Sequence, residues 1–182
     1  MRLTNIMVVP PSLPAKSVAQ FIALAKAEPG RLSFASSGNG TSVHLSAELF
    51  KWMTGINIVH VPYRGSAAAY PDLMTSKVHV LLDNLPGSIE FVRTGQLRAL
   101  GVTTAARSDA LPYVPAIGET VPGYEASVWY GIAAPKGTPA EAIDVLSKAV
   151  AAALADPKMQ TRLADETEKW GAVVKAAGLS VE

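Results

Sequence analysis

Short apolar runs alternate with helical patterns along this chain. Residues 5–9, NIMVV, form an apolar run that Pro10, Pro11 and Pro14 bring to an end. Ser17 then stands where an N-cap belongs, ahead of Val18, Phe21, Ile22 and Ala25, which recur at helical spacing. Glu28-Pro29-Gly30 stops that helix. RLSFA (31–35) is the next strand. From Thr41 to Met53 the helical period returns, with Leu45, Leu49, Trp52 and Met53 assigned to the buried side and Gly55 as a left-handed cap. INIVHV (56–61) is nearly continuous in apolar character, the pattern of a strand buried on both faces.

The alternation continues with GSAAAYPDLMTSK (65–77), a helix that Pro71 either kinks or starts late. VHVLLD (78–83) and LRALGVT (97–103) are strands, separated by the short helix SIEFVRTGQ (88–96). Five strands with four intervening helices make a βαβ series. The series predicts an α/β fold with a mostly parallel sheet and helices on both faces. From Thr104 to Tyr124 prolines and glycines break the pattern, which predicts a long, ordered surface excursion. SVWYGIAAP (127–135) is strand-like again. Thr138 then offers an N-cap, Pro139 suits the first helical turn, and Ile143, Leu146, Val150 and Leu154 form an apolar stripe. Residues 158–178 read as helical with one charged face.

Composition narrows the classes. A chain of 182 residues is long enough for one good core. With 49% hydrophobic and 17% charged residues it is globular rather than disordered. The net charge is +1 and its lysines and arginines are scattered, so no nucleic-acid partner is expected. The absence of cysteine removes disulfides, thiolate catalysis and cysteine-ligated zinc. No apolar run approaches the ~18–20 residues of a membrane-spanning helix, so direct membrane insertion is not expected. The start, MRLTNIMVVPPSLP, lacks the ~7–15-residue apolar core and the cleavage site of a secretory signal, and no export signal is expected in it.

One stretch concentrates candidate chemistry. In FASSGNGTSVHLSAELF (34–50), a strand becomes a helix through Ser36, Ser37, Gly38, Asn39, Gly40, Thr41 and Ser42. Ligands of open α/β sheets collect where strands lead into helices. A helix front offers amides without intrahelical acceptors and the positive end of the dipole, which together suit an anion. The loop lacks the Lys-Ser/Thr of a phosphate-binding loop and the third glycine of a dinucleotide fingerprint, so a carboxylate fits better than a pyrophosphate. The same residues also suffice merely to cap the helix and turn the chain. Two further loops lie at the same predicted edge. VPYRGS (61–66) offers Tyr63, Arg64, Gly65 and Ser66, and LDNLPGS (82–88) offers Asp83 and Asn84. Asp83 either accepts from a ligand hydroxyl or ammonium or caps the next helix.

Enzyme chemistry is poorly supported. His44 and Glu48 stand at i and i+4, but a third metal ligand at sensible spacing is missing, and no metal is expected. A serine, His44 and Asp83 make a triad only on paper, because no G-x-S-x-G elbow exposes the nucleophile. His60 and His79 lie inside strand patterns and read as satisfied core histidines. No catalytic residue and no cofactor are expected.

VPYRG, DNLPG, RALGVTTAARSDALP, VPGYEA and APKGTP, in this order, resemble the Bug family, the extracytoplasmic solute-binding proteins of tripartite tricarboxylate transporters. The similarity runs from Ile6 to about Leu163 and resumes at EKWGAVVKAAGL (168–179). The resemblance implies a periplasmic-binding-protein fold of two α/β lobes closing on a small carboxylate, a periplasmic location and membrane transporter subunits as partners. It places the loops at Ser36–Ser42, Tyr63–Ser66 and Asp83–Asn84 on the second lobe's side of the cleft. Family members carry a signal peptide and most of a first lobe before the point where this chain starts. They also carry an extra stretch where RLADETEKW joins directly.

On that comparison the chain is a second lobe, about residues 12–126, with crossover strands at about 5–10 and 127–135 and C-terminal helices over 139–178. A single lobe offers fewer donors at a wetter surface, so affinity is expected to fall on the order of a thousandfold. Exposed crossover strands would favour a homodimer. The alternative reading is a shortened lobe that binds nothing and self-associates through those strands.

Overall fold

Strand β1 (Leu3–Val9) occupies the interior of the sheet rather than its margin. The other strands are β2 (Ser33–Ser36), β3 (Val59–Pro62), β4 (Val80–Asn84) and β5 (Arg98–Val102), in the order β3-β2-β4-β1-β5. β2 pairs in parallel with β3 and β4, whereas β1 is antiparallel to both β4 and β5. Strands β2 to β5 therefore run one way, as the βαβ pattern predicts, and β1 runs against them. Its early residues also pair with β6 (Ser127–Val128), Leu3 opposite Val128 and Thr4 opposite Ser127. The computed structural model describes residues 3–128 and 134–159, and the chain divides into two compact units, Met1–Trp129 and Tyr130–Glu182.

The expectation that the first crossover strand lies exposed is corrected by its burial. Ile6, Met7, Val8 and Val9 have no exposed surface. A strand with antiparallel partners on both sides has no free edge for exchange. The edge falls instead on β3, where the apolar pattern predicts burial on both faces but Val59 is 49% exposed.

Helices α1 (Val18–Ala27), α2 (Ser42–Thr54), α3 (Tyr70–Met74) and α4 (Leu85–Arg93) cover the sheet. Local signals set their ends. The Ser17 hydroxyl accepts from the Gln20 amide, and Gly55, at φ 65°, closes α2 with its N–H on the Lys51 carbonyl. Pro71 sits in the first turn of α3 after a tight turn at Ser66–Ala68, which settles for a late start. α4 begins directly after β4, three residues earlier than the apolar period suggests.

The buried face of α2 is not the one hydrophobicity alone selects. Val43, Ala47 and Phe50 form its stripe, with Ser46 and Leu49 beside it, whereas Trp52 is 58% exposed and Leu45 and Met53 are only half-buried. Small residues at 46 and 47 let the helix approach the sheet. Phe50 packs against Phe21, ring centroids 6.3 Å apart, and edge-on to Tyr124 at 5.8 Å. Each such buried aromatic contributes roughly 1.5–3 kcal/mol. The Tyr124 hydroxyl donates to the Ser46 carbonyl at 3.0 Å, so the phenol is buried without an unpaired donor.

The 104–124 stretch is ordered, but it is more than a surface excursion. Leu111, Val114, Ala116, Ile117, Val121 and Tyr124 are all buried, and Ala116 bridges to Val102 at the end of β5. In the second unit, α5 spans Ala140–Leu154. Pro139, not Thr138, holds its N-cap position, because the Thr138 hydroxyl donates back to the Pro135 carbonyl. Ile143, Leu146 and Val150 are exposed. The expectations for residues 129–133 and 160–178, and for the Leu154 side chain, lie outside the described residues.

Candidate functional site

The carboxyl ends of β2, β3 and β4 bring the three Gly-containing loops together. The Tyr63 amide donates to the Ser36 carbonyl at 3.0 Å and the Gly65 amide to the Ser37 carbonyl at 3.3 Å. The Ser66 hydroxyl donates to Asp83 Oδ1 at 2.5 Å. Residues that the sequence places far apart are thus one hydrogen-bonded edge, with the front of α2 at its centre.

Thr41 is the N-cap of α2. Its hydroxyl accepts from the His44 amide and from the Ser37 hydroxyl, and donates to the Gly38 carbonyl at 2.8 Å. The loop before it closes on itself. The Gly38 amide donates to the Ser36 hydroxyl at 3.2 Å, the Gly40 amide to His44 Nδ1 at 3.0 Å, and the Thr41 amide to the Gly38 carbonyl at 3.5 Å. Gly40 has φ 72°, a left-handed conformation that a side chain would strain. The expectation that every amide from 38 to 42 faces a ligand is therefore reduced. Those of Asn39, Ser42 and Val43 have no acceptor among the described residues, and Asn39 is exposed while Ser37 and Ser42 are half-exposed.

Ser36 and Asp83 carry the loops rather than face outward. Ser36 is fully buried, with its hydroxyl 2.7 Å from His60 Nε2. Asp83 is 2% exposed and accepts hydrogen bonds from the hydroxyls of Ser66, Tyr70 and Ser88. Burial first, and the bond to Asp83 second, push the Tyr70 phenol up. The Tyr63 hydroxyl donates to Asp72 at 2.9 Å, and burial with that bond pushes its pKa up to about 12. Asn84 closes β4, and its buried side-chain oxygen, like that of Asn5, its register partner on β1, has no hydrogen-bond partner among the described residues. Arg64 is exposed.

Behind the loop lies a feature that sequence reasoning missed. The imidazoles of His44 and His60 stack face to face, and Phe34 of β2 stacks on His60 with centroids 4.7 Å apart. His60 is held by Ser36 and half-buried rather than in the core, and His79 bonds Ser33 in the same half-buried way. Burial is the main cause holding His60 down to about 4, with His44 second. Burial lowers His44 likewise, against the pull of Glu48, whose carboxylate is 3.8 Å from Nε2. The available signal was spacing: an acceptor four residues after Gly40, on the first turn of α2. Among the described residues no group of three histidine, aspartate or glutamate side chains is placed to hold a metal.

Comparison with known proteins now bears on this edge. Residues 1–178 match the model of the tripartite tricarboxylate transporter family receptor. The chain belongs to that family. Protein BugT of Bordetella pertussis is 36% identical over 198 aligned positions, covering 97% of this chain and 60% of BugT. The structure of R. palustris Rpa4515 with adipate superposes with a TM-score of 0.82 at 39% identity, covering 98% of this chain and 67% of that one. MatC of Rhodopseudomonas palustris with bound malate gives 0.73 at 25% identity, covering 90% and 56%. The chain thus spans about three-fifths of BugT's length. The family is one of periplasmic solute-binding proteins, not enzymes. Among the described residues no helix is long and apolar enough to cross a membrane.

Proposed function

We propose that the edge formed by these three loops is one wall of a site for a small carboxylate, which this receptor presents to a membrane transporter in the periplasm. The lobe comprises about residues 12–126, with a crossover strand at about 5–10. The carrying observation is the pair of accessible amides at Asn39 and Ser42, without acceptors among the described residues, at the front of a 13-residue helix. Their dipole end favours an anion, and the hydroxyl of Ser42 adds a neutral donor beside them. Adipate and malate in the neighbouring structures support a dicarboxylate of short chain. Ser36, Tyr63, Gly65, Ser66 and Asp83 serve this wall by holding the loops in register, and Asn84 closes its third side.

The test is calorimetric titration with adipate and malate beside thermal melts at the same concentrations. A ligand bound only by the native state at a hundred times its Kd adds about 2.7 kcal/mol, which a melt resolves. Ser42→Pro separates the amide from everything else. Proline is tolerated at the first helical position, and Thr41 before it is already extended at ψ 161°, so the variant keeps the helix and removes one donor. Affinity is expected to fall roughly tenfold in Ser42→Pro and less in Ser42→Ala. No melt shift at millimolar ligand, or equal binding by Ser42→Pro, would overturn the proposal.

A further inference from the structure

We propose that His44 and His60 are positioning residues for the carboxylate loop, and that the proton state of His44 sets the form of the loop's tip. This rests on the assignment of that loop to the ligand.

The geometry fixes a tautomer. The Gly40 amide donates to His44 Nδ1, so that nitrogen carries no proton and the ring's N–H is on Nε2, toward Glu48. His60 backs the ring from β3, centroids 3.9 Å apart and planes 10° apart, and its own Nε2 meets the Ser36 hydroxyl. That hydroxyl also donates to the Gly38 carbonyl and accepts from the Gly38 amide. The two rings therefore reach the loop at both glycines. His44 takes Gly40 directly, and His60 takes Gly38 through Ser36. With Gly40's N–H turned inward, the chain leaves the amides of Asn39 and Ser42 for a ligand.

Protonating His44 would set one N–H against another at Gly40 and place a charge on a ring that faces His60. The other groups around the pair limit how easily this happens. Glu48 on α2 favours the charged form, Lys51 on α2 opposes it while bonding Glu48 at 2.8 Å, and Phe34 and Ser36 on β2 are uncharged. His44 is 3% exposed, so a charge there is poorly hydrated. Neutral at pH 7, the pair is a brace, and below its titration the brace opens at Gly40.

The experiment is a nitrogen-15 NMR titration of the ligand-free chain from pH 7.5 to 4.5, following the ring nitrogens of both histidines and the Gly40 amide. The expected result is an Nε2–H tautomer for His44 at pH 7.5 and a Gly40 amide shift that moves with the His44 midpoint. His44→Asn, whose side-chain oxygen replaces the Nδ1 acceptor without titrating, should keep the Gly40 amide protected and abolish its pH dependence. His44→Phe keeps the stack and removes the acceptor, so Gly40 exchange should rise roughly five- to tenfold, with a similar loss of adipate affinity that His44→Asn restores. If a variant fails to fold, the titration of the unaltered chain decides. An Nδ1–H tautomer, or a Gly40 amide indifferent to His44, overturns the brace. Absence of adipate binding with the coupling intact would instead count against the ligand assignment and leave the brace standing.

Discussion

The imidazole of His44 lies flat on that of His60, with ring centroids 3.9 Å apart and an interplanar angle of 10°. Two stacked, partly desolvated imidazoles resist taking protons, and His60 is held down to about 4 against an ordinary value of 6.5. A native-state pKa below the unfolded one means that the unfolded chain binds more protons in between. Stability is then fully present above about pH 6.5 and is lost as pH falls toward 4, with no further loss from this group below that. His60 is half-exposed, so after solvent screening the loss is on the order of 1 kcal/mol. Urea midpoints at pH 7.5, 6 and 5 should fall in that order, and more shallowly in His60→Gln. Midpoints constant from pH 7.5 to 5 would show that the stack does not penalise protonation.

Asp83 gathers three hydroxyls while almost wholly buried, so removing any one leaves a carboxylate short of a donor. Tyr70→Phe is the sharpest probe, because the ring stays packed against Phe91 and only the oxygen is lost. Hydrogen bonds to charged groups are worth about 1.5–3 kcal/mol, and a loss of about 2 kcal/mol in urea unfolding is expected. Ser88→Ala, at 3.4 Å from the carboxylate, should cost less. Equal and negligible costs for both would mean that the carboxylate is satisfied elsewhere.

Much of this architecture was legible in the chain because its signals are local. Thr41 and Gly55 bracket α2 through bonds to residues within four positions, and the loops at 36–42, 63–66 and 83–84 each announce a strand end with glycine and hydroxyls. The central place of β1 was not legible, since an apolar run does not say which strands flank it. Nor was the buried face of α2, where Ala47 and Ser46 outrank Trp52 through fit rather than hydrophobicity. The inward turn of the Gly40 amide depends on a ring supplied by His44 and backed by His60 of another element. Spacing alone paired His44 with Glu48, too few ligands for a metal, and did not single out the bond to Gly40.

Gly101 on β5 is set by close approach. A methyl group at that position would come within 2.8 Å of Ile117 Cγ1 and 3.2 Å of Val18 Cγ2, pressing the 104–124 stretch away from α1 and the sheet. Gly101→Ala is expected to destabilise by about 1–3 kcal/mol, the usual range for overpacking. The diagnostic is non-additivity. In an Ile117→Val background the same substitution should cost measurably less, because the shortened side chain relieves the contact. Additive losses would place the strain somewhere other than Ile117.

Arg98 ties the entry of the chain to the far edge of the sheet. Nη1 donates to the Leu13 and Ala15 carbonyls and Nη2 to the Pro11 carbonyl, so one planar fork holds the proline-rich turn between β1 and α1. That turn has few backbone bonds of its own, Leu13 to Pro10 being one, and without the fork its carbonyls must turn to water. Lysine keeps the charge but offers one donor centre instead of a fork, so Arg98→Lys is not conservative here. Arg98→Lys should lower stability by about 1–2 kcal/mol and Arg98→Met by more. Amide exchange should rise over residues 11–17 while staying unchanged at Gly40 and Ser42, because the turn and the carboxylate loop lie at opposite ends of the strands. Equal exchange in Arg98→Lys and the unaltered chain would show that the prolines alone hold the turn.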